Sequence, residues 1–166
     1  DLKKELCKSN ATDKDYYLAQ FVILTLLVEF YDGQGSTSKS REFLKLGELQ
    51  NIISERLKAG LTLEQEREQE NTNIYSELYE NVLDYKSMSD AYESLRSVET
   101  RSRSKYTKEG YVSIICNFLD RQGLIIFIPE DEMIKTTAKL DNIMEYKILN
   151  KENYTRIMEA LGKAHE

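Results

Sequence analysis

A chain of 166 residues with 40% hydrophobic content is long enough to bury a core, as one domain or as two small ones. Its formal net charge of -6 and pI of about 5.1 exclude a general attraction to polyanions, so any nucleic-acid contact has to come from a local basic patch. One proline and seven glycines beside abundant Glu, Lys, Leu and Tyr point to a mainly helical fold, and two cysteines in unlike settings, Cys7 and Cys116, give no disulfide framework, so a reducing cytoplasm is the default.

The chain opens at Asp1 without an initiator Met, and Asp1 to Asn10 carry no signal-peptide pattern, so it reads as a portion of a longer protein. From Tyr16 to Tyr31 only Gln20, Thr25 and Glu29 interrupt an apolar run. Sixteen residues containing a glutamate fall short of the roughly 20 apolar residues of a membrane span, and the run is expected to be a core helix. Thr12 or Asp13 is its candidate N-cap, and Asp32-Gly33 with Gly35 ends it. Gln34 to Ser40 reads as a polar surface loop, and Phe43 to Leu46 as a short extended or turn segment. Leu49, Ile52, Ile53 and Leu57 mark an amphipathic helix over Gly47 to Lys58 with Gly60 at its exit.

Thr62 with Gln65 fits a capping box and opens another helix, although Glu64 to Asn73 contains no apolar residue. Its stripe begins at Ile74 and continues through Leu78, Val82 and Tyr85; Ser87 and Ser89 break it, and Ser89 caps a shorter helix carrying Tyr92 and Leu95. In YTKEGYVSIICNFLDRQG, Tyr111, Ile114, Ile115, Phe118 and Leu119 fall at helical spacing, and Gly123 stops the helix. Leu124 to Ile128 reads as a buried strand, Pro129 to Glu132 as a turn, and MIKT as a returning strand. Helix, helix, helix, strand, strand is a winged-helix-like order. The expected fold is therefore mainly α with a small β-hairpin: a helical N-terminal portion over 1–60, then a winged-helix-like unit over 61–166, unless the two form one domain. Two C-terminal helices close that unit. One, capped by Thr136 or Thr137, carries Leu140, Ile143, Met144 and Ile148; the other, capped by Asn150, carries Tyr154, Ile157, Met158 and Leu161.

No residue cluster names a reaction. His165 is penultimate, no glycine pattern cradles phosphate, and two cysteines with one terminal histidine cannot close a zinc site, so neither an enzyme nor a cofactor is expected. Glu64, Glu66, Glu68 and Glu70 alternate, which spreads them around a helix, where they read as a solvated helix start. Cys116 adjoins an apolar face and reads as a small buried hydrophobe, and the tyrosines mostly follow core stripes. One basic signal remains. Arg96, Arg101, Arg103, Lys105 and Lys108 face the single acid Glu99, a local balance of +4, in a serine-rich loop; Arg101, Arg103, Lys105 and Lys108 are candidate phosphate-backbone contacts, with a solvated connector as the bland alternative. Against DNA reading stand Glu109, Asn117 and Asp120 on the long helix and Glu130, Asp131 and Glu132 at the wing tip. Surplus apolar area at Leu140, Ile143, Met144, Tyr154, Ile157 and Met158 marks a candidate partner interface, capping of the core being the alternative.

The succession DYYLAQFVILTLLVEFYDG, GELQNIISERL, YVSIICNFLDRQGLI and IKTTAKLDNIMEYKILNKENYTRIMEAL resembles an uncharacterised bacterial domain-of-unknown-function family. That family is similar to the kite-type tandem winged-helix subunits of SMC chromosome-structuring and Wadjet plasmid-defence complexes. The resemblance covers about Tyr16 to Leu161 and carries no catalytic signature. It implies an accessory winged-helix subunit that dimerises and clamps a kleisin-like chain beside an SMC-type ATPase; the expectations of a cytoplasmic location, weak non-specific DNA contact and no membrane come from the residues themselves. It transfers no single functional residue. The acidic stretch Glu64 to Glu70 departs from it. The alternative class is a dimeric winged-helix transcriptional regulator, which basic charge on the long helix and wing would favour.

Overall fold

In the computed structural model, residues 5–6, 12–31, 39–69, 84–98, 104 and 106–145 are described. Helix α1, Asp13–Phe30, begins at Thr12, whose backbone N–H donates to the Asp15 carboxylate at 2.9 Å while its hydroxyl donates to the same oxygen at 3.1 Å. Negative charge in the first turn also suits the positive end of the helix dipole. The apolar run buries Leu18, Phe21, Val22, Leu26 and Phe30 completely, as a core helix should. No helix among the described residues is long and apolar enough to cross a membrane.

Strand β1, Leu44–Lys45, occupies the short extended segment and leads directly into helix α2, Leu46–Gln69. Here the expected break fails. Gly60 lies inside a continuous helix, and Thr62 caps nothing, because its hydroxyl bonds back to the Lys58 carbonyl one turn earlier at 3.1 Å. Gly60 answers to packing. A Cβ built there would stand 2.1 Å from the Tyr85 ring, which itself meets Phe21 edge-on at 5.9 Å. Glu64, Glu66 and Glu68 consequently sit near the end of α2, so the helix dipole does not favour them; Glu70 lies outside the described residues.

Helix α3, Tyr85–Glu93, incorporates Ser87 and Ser89 instead of breaking at them. Its cap is Asp84, which accepts the Ser87 N–H at 2.8 Å, and Glu64 reaches across from α2 to accept the Lys86 N–H at 2.9 Å. The first turn therefore has two carboxylate partners, which a serine cap five residues later, at Ser89, would not supply. Residues 70–83, with Ile74, Leu78 and Val82, lie outside the described residues.

Helix α4, Lys108–Arg121, follows the predicted apolar spacing, with Thr107 accepting the Gly110 N–H at 3.1 Å. Gly123, at φ 71°, turns the chain into strand β2, Ile125–Ile128, and strand β3, Met133–Thr136, returns. The sheet is antiparallel in the order β1-β3-β2, with Leu44 opposite Ile134 and Phe127 opposite Ile134 on the other side. Strand β2 is buried on one face only: Ile125 and Phe127 enter the core while Ile126 is 48% exposed. Helix α5, Ala138–Ile143, starts at Thr137, which accepts the Leu140 N–H at 3.3 Å and donates to the Gly123 carbonyl at 2.7 Å.

The fold is mainly α with a small hairpin and is winged-helix-like. Its order α1-β1-α2-α3-α4-β2-β3 draws the strand and helix that precede residue 61 into the same core as α4 and the hairpin. The expected division at 60/61 falls within α2.

Candidate functional site: the wing and the helix before it

Three hydrogen bonds tie the hairpin to its neighbours, one to α4 and two to the β1–α2 junction. Phe127 N–H donates to Asp120 Oδ2 at 2.8 Å, Leu46 N–H donates to the Glu132 carbonyl at 2.8 Å, and Lys45 Nζ donates to the Asp131 carbonyl at 2.8 Å. The wing is thus tied at its edge by α4 and near its tip by the last residue of β1 and the first of α2. Glu132, at φ 52°, closes the turn in a left-handed conformation that non-glycine residues adopt infrequently. The tip carries Glu130, Asp131 and Glu132 with no base among them.

On its outward side α4 leaves Glu109, Ser113, Ile114, Asn117, Asp120 and Arg121 wholly or partly accessible. A shallow groove of about 420 Å³ runs along Ile114, Asn117, Asp120 and Arg121. Arg121 pairs with Glu5 at 3.4 Å. The opposite side of α4 is core: Tyr111, Val112, Ile115, Cys116 and Leu119 are buried. Burial pushes the Cys116 thiol up to about 12, which keeps it protonated and unreactive, in line with a packing role.

Of the candidate phosphate contacts, Arg101, Arg103 and Lys105 lie outside the described residues. Lys108 lies within them and is already engaged. Its Nζ is 3.0 Å from Glu93 Oε2 and 4.7 Å from the centre of the Tyr92 ring, and its side chain is only 19% exposed. Arg96 begins the segment by donating its N–H to the Tyr106 carbonyl at 2.9 Å and accepting the Lys108 N–H at 3.0 Å, so both ends of the basic stretch are pinned together.

Of the candidate partner interface, Tyr154, Ile157 and Met158 lie outside the described residues. Leu140 and Met144 are packed into the core at 3% and 4% exposure, and Ile143 is half-buried. Leu140 and Met144 thus cap the core, the alternative that the sequence reading leaves open for this stripe, while Ile148 lies outside the described residues; α5 is held by the Thr137 bonds and by Tyr31, whose hydroxyl donates to Asp141. Burial first, and then that bond, raises the Tyr31 pKa, while Lys39 pairs with Asp141 at 3.2 Å. Tyr31, Tyr85, Tyr92 and Tyr111 are all core residues, so they present no stacking platform; Tyr17 and Tyr106 are about half exposed.

Sequence reasoning missed the outer face of the sheet. Ile126 stands opposite Lys135, and Ile128 opposite Met133, which in turn faces Lys45. Phe43, next to buried Leu44, is 46% exposed. The run LIIFI hides this, since a strand with no polar member gives no sign of which residues face solvent. The partner strand adds little, since Met133, Ile134, Lys135 and Thr136 run apolar, apolar, polar, polar and only Lys135 marks the outward face.

Neither a curated protein nor a solved structure matches the chain. A family model does, over residues 1–166, and the chain belongs to that family, the family of unknown function DUF6063.

Proposed function

We propose that this chain is a non-catalytic interaction module that binds protein through its winged-helix-like unit. The observation that supports this best is the charge of the two elements that would otherwise enter DNA. The wing tip bears Glu130, Asp131 and Glu132, and the accessible side of α4 offers Glu109 and Asp120 against Arg121, itself paired with Glu5. Phosphates approaching either element meet like charge. Lys108, at the start of α4, is engaged by Glu93. In the specific form implied by the resemblance to kite-type subunits, the partner is a kleisin-like chain within an SMC-type assembly, or a second copy of the chain.

The test is isolation of the protein from its own cells at native abundance, with mass-spectrometric identification of what remains bound at 0.3 M salt, beside a duplex-binding assay. A stoichiometric protein partner and only weak duplex binding is the expected result. A tight, sequence-selective duplex complex with no protein partner would overturn the proposal in favour of a dimeric regulator.

A further inference from the structure

We infer that the outer face of the β-sheet is the docking surface, and that its occupant is a segment of a partner protein in which apolar and acidic side chains alternate. This rests on the protein-binding reading above and adds the surface and the chemistry of the partner.

The face is built from two rows. The register sets Ile126 beside Lys135 in one and Ile128, Met133 and Lys45 side by side in the other, while Phe43 extends the first row beyond the ladder by strand alternation from Leu44 and Lys45. Ile126 and Phe43 are 48% and 46% exposed, and Ile128 and Met133 are half-buried. Isolated apolar side chains on a surface need no explanation, but Ile126, Ile128 and Met133 adjoin on one small sheet and make a patch, with Phe43 beyond Lys135 in the first row.

Charge decides what covers it. In a chain of net charge -6 the ionisable groups on this face are both cationic, Lys135 and Lys45. Among the described residues Lys135 forms no ion pair, and Lys45 is held by a carbonyl, which leaves its charge uncompensated at that contact. The wing-tip acids Glu130, Asp131 and Glu132 fall outside these two rows. A basic segment or a second apolar face would leave both lysines without counter-charges on docking, whereas acids spaced along an amphipathic segment supply them.

The mode of docking is also constrained. Strand addition at the free edge of β2 would need its outward N–H groups, and Asp120 already takes the Phe127 N–H. The other edge, β1, is two residues long. The partner therefore lies across the face and is held by side chains.

The experiment places p-benzoylphenylalanine at position 126 of the full chain, in its own cells, and sequences the photo-crosslinked peptide. The expected product is a heterologous peptide with alternating acidic and apolar residues, formed at least tenfold less efficiently when Lys135→Glu is added. Lys135 is exposed, so that substitution should leave the urea midpoint unchanged, and the midpoint is measured as the folding control. No adduct, an adduct with a second copy of the chain, or one that Lys135→Glu does not diminish overturns the proposal. The same probe at Asn117 separates two failures. A protein adduct there but not at 126 sinks this face and leaves the interaction reading standing, whereas no protein adduct at either site, with duplex binding retained, sinks both.

Discussion

Asp120 and Phe127 are seven residues apart, and the carboxylate of one takes the backbone N–H of the other at 2.8 Å, so the helix closes the edge of the strand that it feeds. An edge strand with no polar side chain is a template for pairing with another chain, and a charged group on its N–H is an effective block. Asp120→Ala should cost about 1–3 kcal/mol, the range for leaving a partly buried donor without its charged acceptor. It should also make the protein associate with itself through β2. Urea denaturation and sedimentation velocity measure the two effects; a variant as stable and as dispersed as the parent would show that the bond does neither job.

A second prediction concerns the charges inside the helical layer. Glu29 on α1 bonds Arg56 on α2 through one oxygen and Arg41 through the other, at 3.3 Å, and Arg41 continues to Glu48 at 2.8 Å. The Arg56 side chain is 9% exposed, and burial lowers its pKa while Glu29 opposes the shift. Glu29→Leu leaves a buried cation without its carboxylate and should cost about 3–5 kcal/mol. Arg56→Met should cost less, because Glu29 keeps Arg41. The double variant Glu29→Leu, Arg56→Met should recover much of the loss. Equal stability for the double and the Glu29 single variant would show that the ion pair is not what sets the loss.

Much of this fold was legible in the sequence wherever local chemistry and packing agree. Thr12 and Thr137, each one of two candidates, stand at the N-caps of their helices, and the hairpin falls where Pro129 to Glu132 place its turn; the sequence reading assigns no cap at Thr107. The reading failed at Gly60, Thr62 and Ser89, where local signals for an end or a start were overridden. Gly60 fits against Tyr85, a residue 25 positions away, and no local pattern reports such a contact. Likewise Asp84 is an ordinary cap made stronger by Glu64 from another helix. The site divided in the same way. The acidic wing tip is a string of letters in the sequence, but the burial of Leu140 and Met144 depends on where α5 lies, and the apolar outer face depends on strand register.

The two carboxylates at the start of α3 should give opposite pH signatures. Burial raises the Glu64 pKa, with Asp84 adding to it and the Lys86 N–H opposing. Native protein then binds that proton more readily than unfolded protein, so the Glu64 contribution falls as pH rises from the ordinary carboxylate range through its raised value. Hydrogen bonds from Ser87 lower the Asp84 pKa. Its contribution is therefore full above the ordinary range and is lost as pH falls through the depressed value. Glu64→Gln keeps an acceptor for Lys86 and should stabilise the protein at pH 7, by an amount that vanishes near pH 3. Asp84→Ala should cost about 1 kcal/mol at pH 7, as loss of an N-cap does, and less in acid. Urea midpoints between pH 3 and pH 7 test both; a Glu64→Gln increment independent of pH would rule out the assigned cause.

The last prediction concerns the basic segment, whose ends are clasped by the Arg96 backbone bonds to Tyr106 and Lys108. With Lys108 held by Glu93, the candidate phosphate contacts that remain are Arg101, Arg103 and Lys105. Three phosphates neutralised would give a slope of about -2.7 for log affinity against log salt, at about 0.9 per phosphate. Binding of that kind is weak and indifferent to sequence, because phosphate contacts position a protein without reading bases. Replacing Arg101, Arg103 and Lys105 together by alanine should abolish duplex binding, while Lys108→Ala should leave the slope unchanged. Fluorescence anisotropy of a labelled duplex across a salt series distinguishes the outcomes. If Lys108→Ala alone flattened the slope, its pairing with Glu93 would have to yield to phosphate, and α4 would regain the basic N-terminus that a DNA-reading helix needs. If a sequence-selective complex survived the triple change, the contacts would have to lie on the wing or on α4 despite their acids, and the protein-binding reading would fail with them.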